Sequence, residues 1–303
     1  MSNQCLSCFA NNLENAQTCQ SCGSLLIGTT EQSTHASPLC LAPGTLLCQR
    51  RYKIEKVLGQ GGFGIAYKGF DLMTSQAIAI KEYWPENAGR QGNGVIWPST
   101  QQQRQKEIQD VKNEFSRLKR CIHPNIVKAY DDFEENNTVY FVMDFHEGQS
   151  LLEILEHEGR LLENRVLKYF LQIAAALKII HGNQILHRDI KPENIIIDRM
   201  DNPILIDFGS AREFIADKTQ RHTRLVTPGY APFEQYLSAA RPSSATDIYA
   251  VCASMYELLT GELPTPSLER KSQDNLKPPR QIVPNLSLAI EQTILTDILH
   301  LAV

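Results

Sequence analysis

The chain has 303 residues, enough for one large or two ordinary domains, and its 42% hydrophobic and 21% charged content describes a globular rather than a disordered protein. A net charge of -4 and a pI near 6.1 provide no global attraction to nucleic acid or to anionic lipid. No apolar run reaches the roughly 20 residues that span a bilayer, and the N-terminus lacks the basic-then-apolar profile of a signal peptide, so a cytoplasmic location is expected.

Residues 1–27 carry Cys5-x2-Cys8 and Cys19-x2-Cys22-Gly23. Two such pairs can bring four thiolates to one tetrahedral ion, and a segment this small would take its folding energy from that ion. A structural Zn2+ in a ribbon-like prefix is the expectation; iron on the same ligands and a pair of disulfides stay open as alternatives. The scattered Cys40, Cys48, Cys121 and Cys252 read as thiols. Not one Lys or Arg precedes Arg50, so the prefix lacks the cations that dominate nucleic-acid affinity, and a protein-contacting or redox-sensing ribbon is expected instead. Residues 28–51 open with a polar stretch without hydrophobic period and read as a flexible linker, His35 within it as a solvated side chain.

A strand from Tyr52 to Leu58 leads into Gly59-Gln60-Gly61-Gly62-Phe63-Gly64. Taken alone, this glycine pattern also marks dinucleotide-binding folds, where a helix follows. Here a β-rich run (65–70) and a further strand ending in Ala77-Ile78-Ala79-Ile80-Lys81 follow, which makes a hairpin suited to covering phosphates. Residues 82–100, rich in turn formers and holding both tryptophans, read as an insertion whose role is not legible. Ile108, Val111, Phe115 and Leu118 stripe a helix over about 102–121, with Glu114 beside the stripe and ahead of His123-Pro124-Asn125-Ile126-Val127.

Thr138 to Met143 forms another strand, followed by Asp144-Phe145-His146-Glu147-Gly148. An amphipathic helix (Val166, Phe170, Ile173, Leu177, Ile180) then delivers the chain to His187-Arg188-Asp189-Ile190-Lys191-Pro192-Glu193-Asn194. Two short apolar strands separate that stretch from Asp207-Phe208-Gly209. A carboxylate, an ammonium, an amide and a second carboxylate suit phosphoryl transfer, which needs an oriented hydroxyl, metal ions on the phosphate oxygens and neutralised charge. A helix over 245–260, a proline-rich loop over 261–284 and a final helix from about Leu286 to Val303 complete the chain.

These motifs resemble the H-R-D-x-K-x-x-N and D-F-G signature of bacterial eukaryotic-type (Hanks-type) Ser/Thr protein kinases, from about Tyr52 to the C-terminus. The resemblance implies an α+β, bilobal fold: a β-rich N-lobe over 52–145 and a mostly helical C-lobe over 146–303. It implies ATP and Mg2+ (or Mn2+) as cofactors, protein Ser/Thr hydroxyls as acceptors, and autophosphorylation in signal transduction. Carried over position by position, Asp189 takes the hydroxyl proton, Lys191 steadies the transferring phosphoryl group, and Asn194 and Asp207 hold Mg2+. Lys81 grips the ATP phosphates and pairs with Glu114, with Glu107 the lesser alternative. Gly59, Gln60, Gly61, Gly62, Phe63 and Gly64 cover the phosphates, and Ala66, Ala79, Met143, Asp144, Phe145 and Ile196 line the nucleotide pocket. Arg188 is expected to pair with a phosphate on the activation segment (207–234), where Thr219 and Thr223 are the expected acceptors and Thr227 bonds Asp189. Asp247 ties down the catalytic loop.

The pattern departs from the family at Pro232-Phe233-Glu234, where Ala-Pro-Glu is usual, and at Cys252, where Gly is common. A C-lobe lacking its last helix is expected, together with the loss of the Arg that pairs with Glu234: either the chain is truncated, or Arg280 or another cation substitutes. The reading from a different class is a pseudokinase or zinc-ribbon scaffold that binds protein partners without catalysis.

Overall fold

The computed structural model describes residues 3–4, 11–12, 39–61, 64–208, 212–213, 226–237, 243–271 and 274–300. Cys5, Cys8, Cys19, Cys22, His35, Gly62, Phe63, Gly209, Thr219 and Thr223 lie outside the described residues. In the prefix, β1 (Asn3–Gln4) pairs antiparallel with β2 (Asn11–Asn12).

A six-stranded antiparallel sheet organises the first half of the molecule. Its strands are β3 (Leu46–Leu47), β4 (Tyr52–Gly61), β5 (Gly64–Asp71), β6 (Gln76–Glu82), β9 (Ala129–Glu135) and β10 (Thr138–Asp144), in the order β3-β4-β5-β6-β10-β9. Between β6 and β9 lie a small hairpin, β7 (Gly89–Gln91) with β8 (Gly94–Ile96), and the helix α1 (Gln101–Leu118). Thr100 and Gln103 form a capping box at the start of α1, which satisfies amides the helix cannot bond itself.

Because side chains alternate along a strand, the sheet has two distinct faces. Ile65, Tyr67, Ile78, Ile80, Tyr140 and Val142 point to an outer core, whereas Val139 and Phe141 point to an inner core shared with Phe115 of α1. The outer core is roofed by Leu41 and Leu47 and by Trp84 and Val95. Residues 39–51 are therefore folded, in contrast to the flexible linker expected over 28–51. Leu41 and Leu47, each 1% exposed, supply the apolar anchors that the polar stretch before them lacks. The 82–100 insertion is the β7–β8 hairpin, which docks on the β9–β10 turn through Val95 N–H to Asn136 O (2.8 Å) and Trp97 Nε1 to Asn137 O (2.7 Å).

Beyond β10, the short strand β11 (Gly148–Ser150) precedes α2 (Leu151–Glu158) and α3 (Glu163–Gly182). The strands β12 (Ile185–Leu186), β13 (Ile195–Asp198) and β14 (Pro203–Leu205) follow, with β15 (Arg212–Glu213) pairing with β12. Helices α4 (Ser244–Thr260), α5 (Ser267–Arg270), α6 (Pro279–Ile282) and α7 (Leu288–His300) complete the helical half. Helix α4 is buried nearly all round, the pattern of a helix at the centre of a lobe. Arg270, 4% exposed, fastens α5 to its neighbours through Asp274 (3.0 and 3.1 Å), Tyr249 Oη (3.4 Å) and Ile298 O (3.3 Å). Among the described residues no helix is long and apolar enough to cross a membrane.

Candidate active site

Three neighbouring residues at the end of β6 point in three directions. Lys81 shares the inner face of the sheet with Ala79, Ala66 and Met143, as the register pairs Ala66↔Lys81 and Met143↔Ala79 requires. Glu82 turns to the outer core, and Tyr83 donates its hydroxyl to Glu107 of α1. Lys81 itself forms an ion pair with Asp207, not with Glu114. Asp207, just past β14, is the acid that reaches this ammonium. Gly64, with φ +145, passes so close to Glu82 that a Cβ would lie 2.4 Å from its carbonyl oxygen, which explains glycine at that point of the loop.

The chain leaves β10 through Asp144, whose N–H donates to Lys128 O (2.9 Å), and Phe145, whose ring lies 5.1 Å from Lys68 Nζ. Gly148 then lies against β13, where a Cβ would meet Ile197 O at 2.1 Å. On β13, Ile195 and Ile197 are buried in the inner core, while Ile196 faces the other way and is half-buried. Burial holds the imidazole of His146 below the usual histidine range, against the pull of Asp144 and Asp198.

The loop between β12 and β13 is held by buried polar groups. Asp247 of α4 is wholly buried and accepts from His187 N–H (2.9 Å) and Arg188 N–H (2.7 Å), with His181 Nε2 at 2.7 Å. The Arg188 carbonyl accepts from Gln235 Nε2 (3.0 Å), and Arg188 has a left-handed backbone, φ +65. His187 carries its proton on Nε2, 3.0 Å from Ile206 O, with its Nδ1 facing Asp189 N–H (3.4 Å), and meets the Phe208 ring at a tilt of 59°, ring centroids 4.6 Å apart. These contacts leave the Asp189 side chain few choices. One oxygen accepts from Thr227 Oγ1 (2.8 Å), the other from Asn194 Nδ2 (3.0 Å), and Lys191 Nζ lies 3.8 Å away.

Burial opposes the charge on Lys191, but the carboxylates of Asp189, Glu193 and Asp207 outweigh it, so its pKa is raised above the ordinary lysine value. Ile206 N–H donates to Asn194 O (2.9 Å), which links the Asn194 segment to the residue before Asp207. Asp207 also has a left-handed backbone, φ +59. Asp189, Lys191, Asn194, Asp207 and Lys81 are thus joined by contacts and charge. Both amide hydrogens of Asn194 are directed at Asp189, onto its backbone carbonyl (2.7 Å) and its carboxylate, which leaves the amide oxygen as the group that can accept a cation. That oxygen and the Asp207 carboxylate are hard donors of the kind Mg2+ takes.

Glu234 accepts from Thr246 Oγ1 (3.0 Å). Arg280, the expected substitute partner, does not pair with it: the residue is exposed on α6 with its N–H on Glu291 (2.7 Å). Phe233 packs under Lys271, whose Nζ is 4.2 Å from the ring centre. Tyr230 donates its hydroxyl to Glu257 of α4. Burial pushes the Glu257 carboxyl up, Tyr230 pulls it back, and the charge of Glu193 adds to the rise. Sequence reasoning had no hold on the Tyr230–Glu257 pair or on Gln235, which touch the site only through the tertiary fold.

The model of the protein kinase domain family matches residues 52–300. Among curated proteins, the chain is 31% identical over 263 residues to a probable serine/threonine-protein kinase of Clostridium acetobutylicum, covering 83% of this chain and 37% of that protein. It is 35% identical over 223 residues to the serine/threonine-protein kinase PrkC of Bacillus subtilis, covering 71% and 31%. The chain thus spans about a third of the length of these relatives. Among solved structures, the apo form of PpkA-294 superposes with a TM-score of 0.70 at 27% identity, covering 86% of this chain and 93% of that one.

Proposed function

Since the chain belongs to the protein kinase family, and its relatives are Ser/Thr kinases, we propose that it transfers the γ-phosphoryl group of ATP to Ser and Thr hydroxyls of proteins. The observation that carries this reading is the Asp189 carboxylate, held by Thr227 and Asn194 with the Lys191 ammonium beside it. A substrate hydroxyl oxygen bonds to the γ-phosphorus as the bond to the bridging oxygen breaks; Asp189 takes the hydroxyl proton, and the bridging oxygen leaves with ADP. Lys191 offsets charge on the transferring group, and its raised pKa keeps it protonated throughout. Magnesium, when bound, neutralises phosphate charge, and Asn194 and Asp207 are the residues that would hold it.

Lys81 and Asp207 satisfy each other in this structure. In this reading Lys81 would hold the ATP phosphates and Asp207 would hold Mg2+ when they are bound, and Glu114 of α1 would be the carboxylate that then pairs with Lys81. The glycine loop from Gly59 to Gly64 covers the phosphates, and Ala66, Ala79, Met143, Asp144, Phe145 and Ile196 surround the base. Arg188 is the guanidinium for a phosphate on the activation segment, at Thr219 or Thr223.

The prefix, in this reading, binds zinc through Cys5, Cys8, Cys19 and Cys22 and meets a protein partner in a cytoplasmic signalling role. The spacing Cys5-x2-Cys8 and Cys19-x2-Cys22 supports it. The test of the activity is incubation with labelled ATP, Mg2+ and a generic Ser/Thr-rich protein. The intact chain transfers label and Asp189→Asn loses about 100-fold or more; equal labelling by both overturns the proposal.

A further inference from the structure

Beneath the roof of the outer core lies a buried charge pair that the phosphoryl-transfer chemistry does not use. Glu82 is 0% exposed, and its carboxylate collects three donors: Tyr67 Oη (2.7 Å), Tyr140 Oη (2.8 Å) and Arg90 Nη2 (2.5 Å). Arg90, its side chain 4% exposed, comes from the β7–β8 hairpin and lies 4.8 Å from the Trp84 ring. Every part of its guanidinium is engaged, because Nη1 donates to Asn93 O (2.8 Å) and Nε donates to Leu39 O. Leu41 N–H in turn donates to Tyr67 Oη (3.0 Å).

Two elements outside the catalytic motifs therefore converge on the residue next to Lys81. One is the hairpin inserted between β6 and α1; the other is the segment 39–41, which follows the cysteine-bearing prefix in sequence. Glu82 is also the residue whose carbonyl Gly64 of the glycine loop approaches. A buried carboxylate deprived of its guanidinium must draw in water or move toward another cation, and either displaces the strand end that carries it. One peptide away, Lys81 moves with it.

We propose that Arg90 and Glu82 form a latch that positions Lys81 and the rear of the glycine loop for the ATP phosphates, and that the segment 39–41 holds the latch closed. Arg90 is a positioning residue: it acts through Glu82 and β6 and does not touch the nucleotide. The proposal rests on the kinase reading, and the two fail in different ways.

The experiment uses the full chain and measures KM for ATP, kcat and Tm for wild type, Arg90→Ala, Arg90→Lys and Tyr140→Phe. Arg90→Ala raises KM for ATP about tenfold while kcat stays within about threefold, the split that marks lost ground-state grip rather than lost chemistry. Arg90→Lys recovers part of the loss, since it keeps the charge but cannot serve Leu39, Asn93 and Glu82 together. Should Arg90→Ala fail to fold, Arg90→Lys and Tyr140→Phe report the same KM rise on a smaller scale. A lowered Tm with unchanged KM in every folded variant overturns the latch and leaves the pair a stabilising contact only. Binding of a fluorescent ATP analogue to the wild type separates the two failures: no binding removes the kinase reading itself, whereas binding that is identical in all variants removes the latch alone.

Discussion

Asp247 shows how one buried side chain sets the shape of a catalytic loop. It accepts two consecutive backbone N–H groups, from His187 and Arg188, and so fixes the backbone that turns left-handed at Arg188 and presents Asp189. In Asp247→Asn one acceptor becomes a donor, leaving at least one buried N–H without a partner, at a cost of about 1–3 kcal/mol. Chemical denaturation reads the lost stability, and kcat falls along with it. Glu257 offers a test in pH. Its carboxyl is raised in the folded protein, so the cost of ionising it is absent below the ordinary glutamate pKa and appears as pH rises through the raised value. Glu257→Gln keeps an acceptor for Tyr230 without a buried charge. Its Tm relative to wild type therefore climbs from pH 4 to pH 8; a difference that shrinks over that range contradicts the assignment. That Asp189, Asn194 and Asp207 would lie near one another was legible in the sequence, because the resemblance sets them at nearly fixed spacing. The partner of Lys81 was not: the spacing ahead of His123-Pro124 pointed to Glu114, whereas the fold brings the Asp207 loop to the ammonium.

At the level of elements, hydrophobic spacing located the secondary structure well wherever one face was buried. The stripe Ile108, Val111, Phe115, Leu118 gave α1 to within a few residues, and its start is set by the Thr100–Gln103 capping box. The insertion stayed opaque because several of its anchors are distant in sequence: Arg90 donates to Leu39 O and Trp97 to Asn137 O, and the burial of Glu82 beneath Arg90 has no signature in the sequence. Truncating Arg90 leaves a buried carboxylate unpaired and costs about 3–5 kcal/mol, measured as a shift in the denaturation midpoint. The segment 39–47 was mistaken for linker because its few leucines show no period of their own; Leu41 and Leu47 have meaning only against the strands they cover. Gly148 is a separate test of close packing. An alanine there places its Cβ 2.1 Å from Ile197 O, so Gly148→Ala must push β11 off β13 and costs about 1–3 kcal/mol, with a fall in Tm as the readout.

Across the whole molecule, the β-rich and helical halves meet at the site, and each contributes charges the other lacks. The sheet supplies Lys81 on its inner face, while the helical half supplies Asp189, Lys191, Asn194 and Asp207 on loops pinned to α4. That α+β, bilobal arrangement was legible through the order of motifs along the chain, because the glycine loop lay between strands rather than before a helix. The cysteine prefix illustrates the opposite limit: its spacing names a metal chemistry, and the cysteines themselves lie outside the described residues. The most direct measurement of the central claim is the intact mass of the purified chain after exposure to ATP and Mg2+, set beside Asp189→Asn treated in the same way. The wild type gains mass in whole phosphate increments while the variant gains none; an unmodified wild type that also leaves added Ser/Thr protein unmodified, or a variant modified to the same extent, contradicts it.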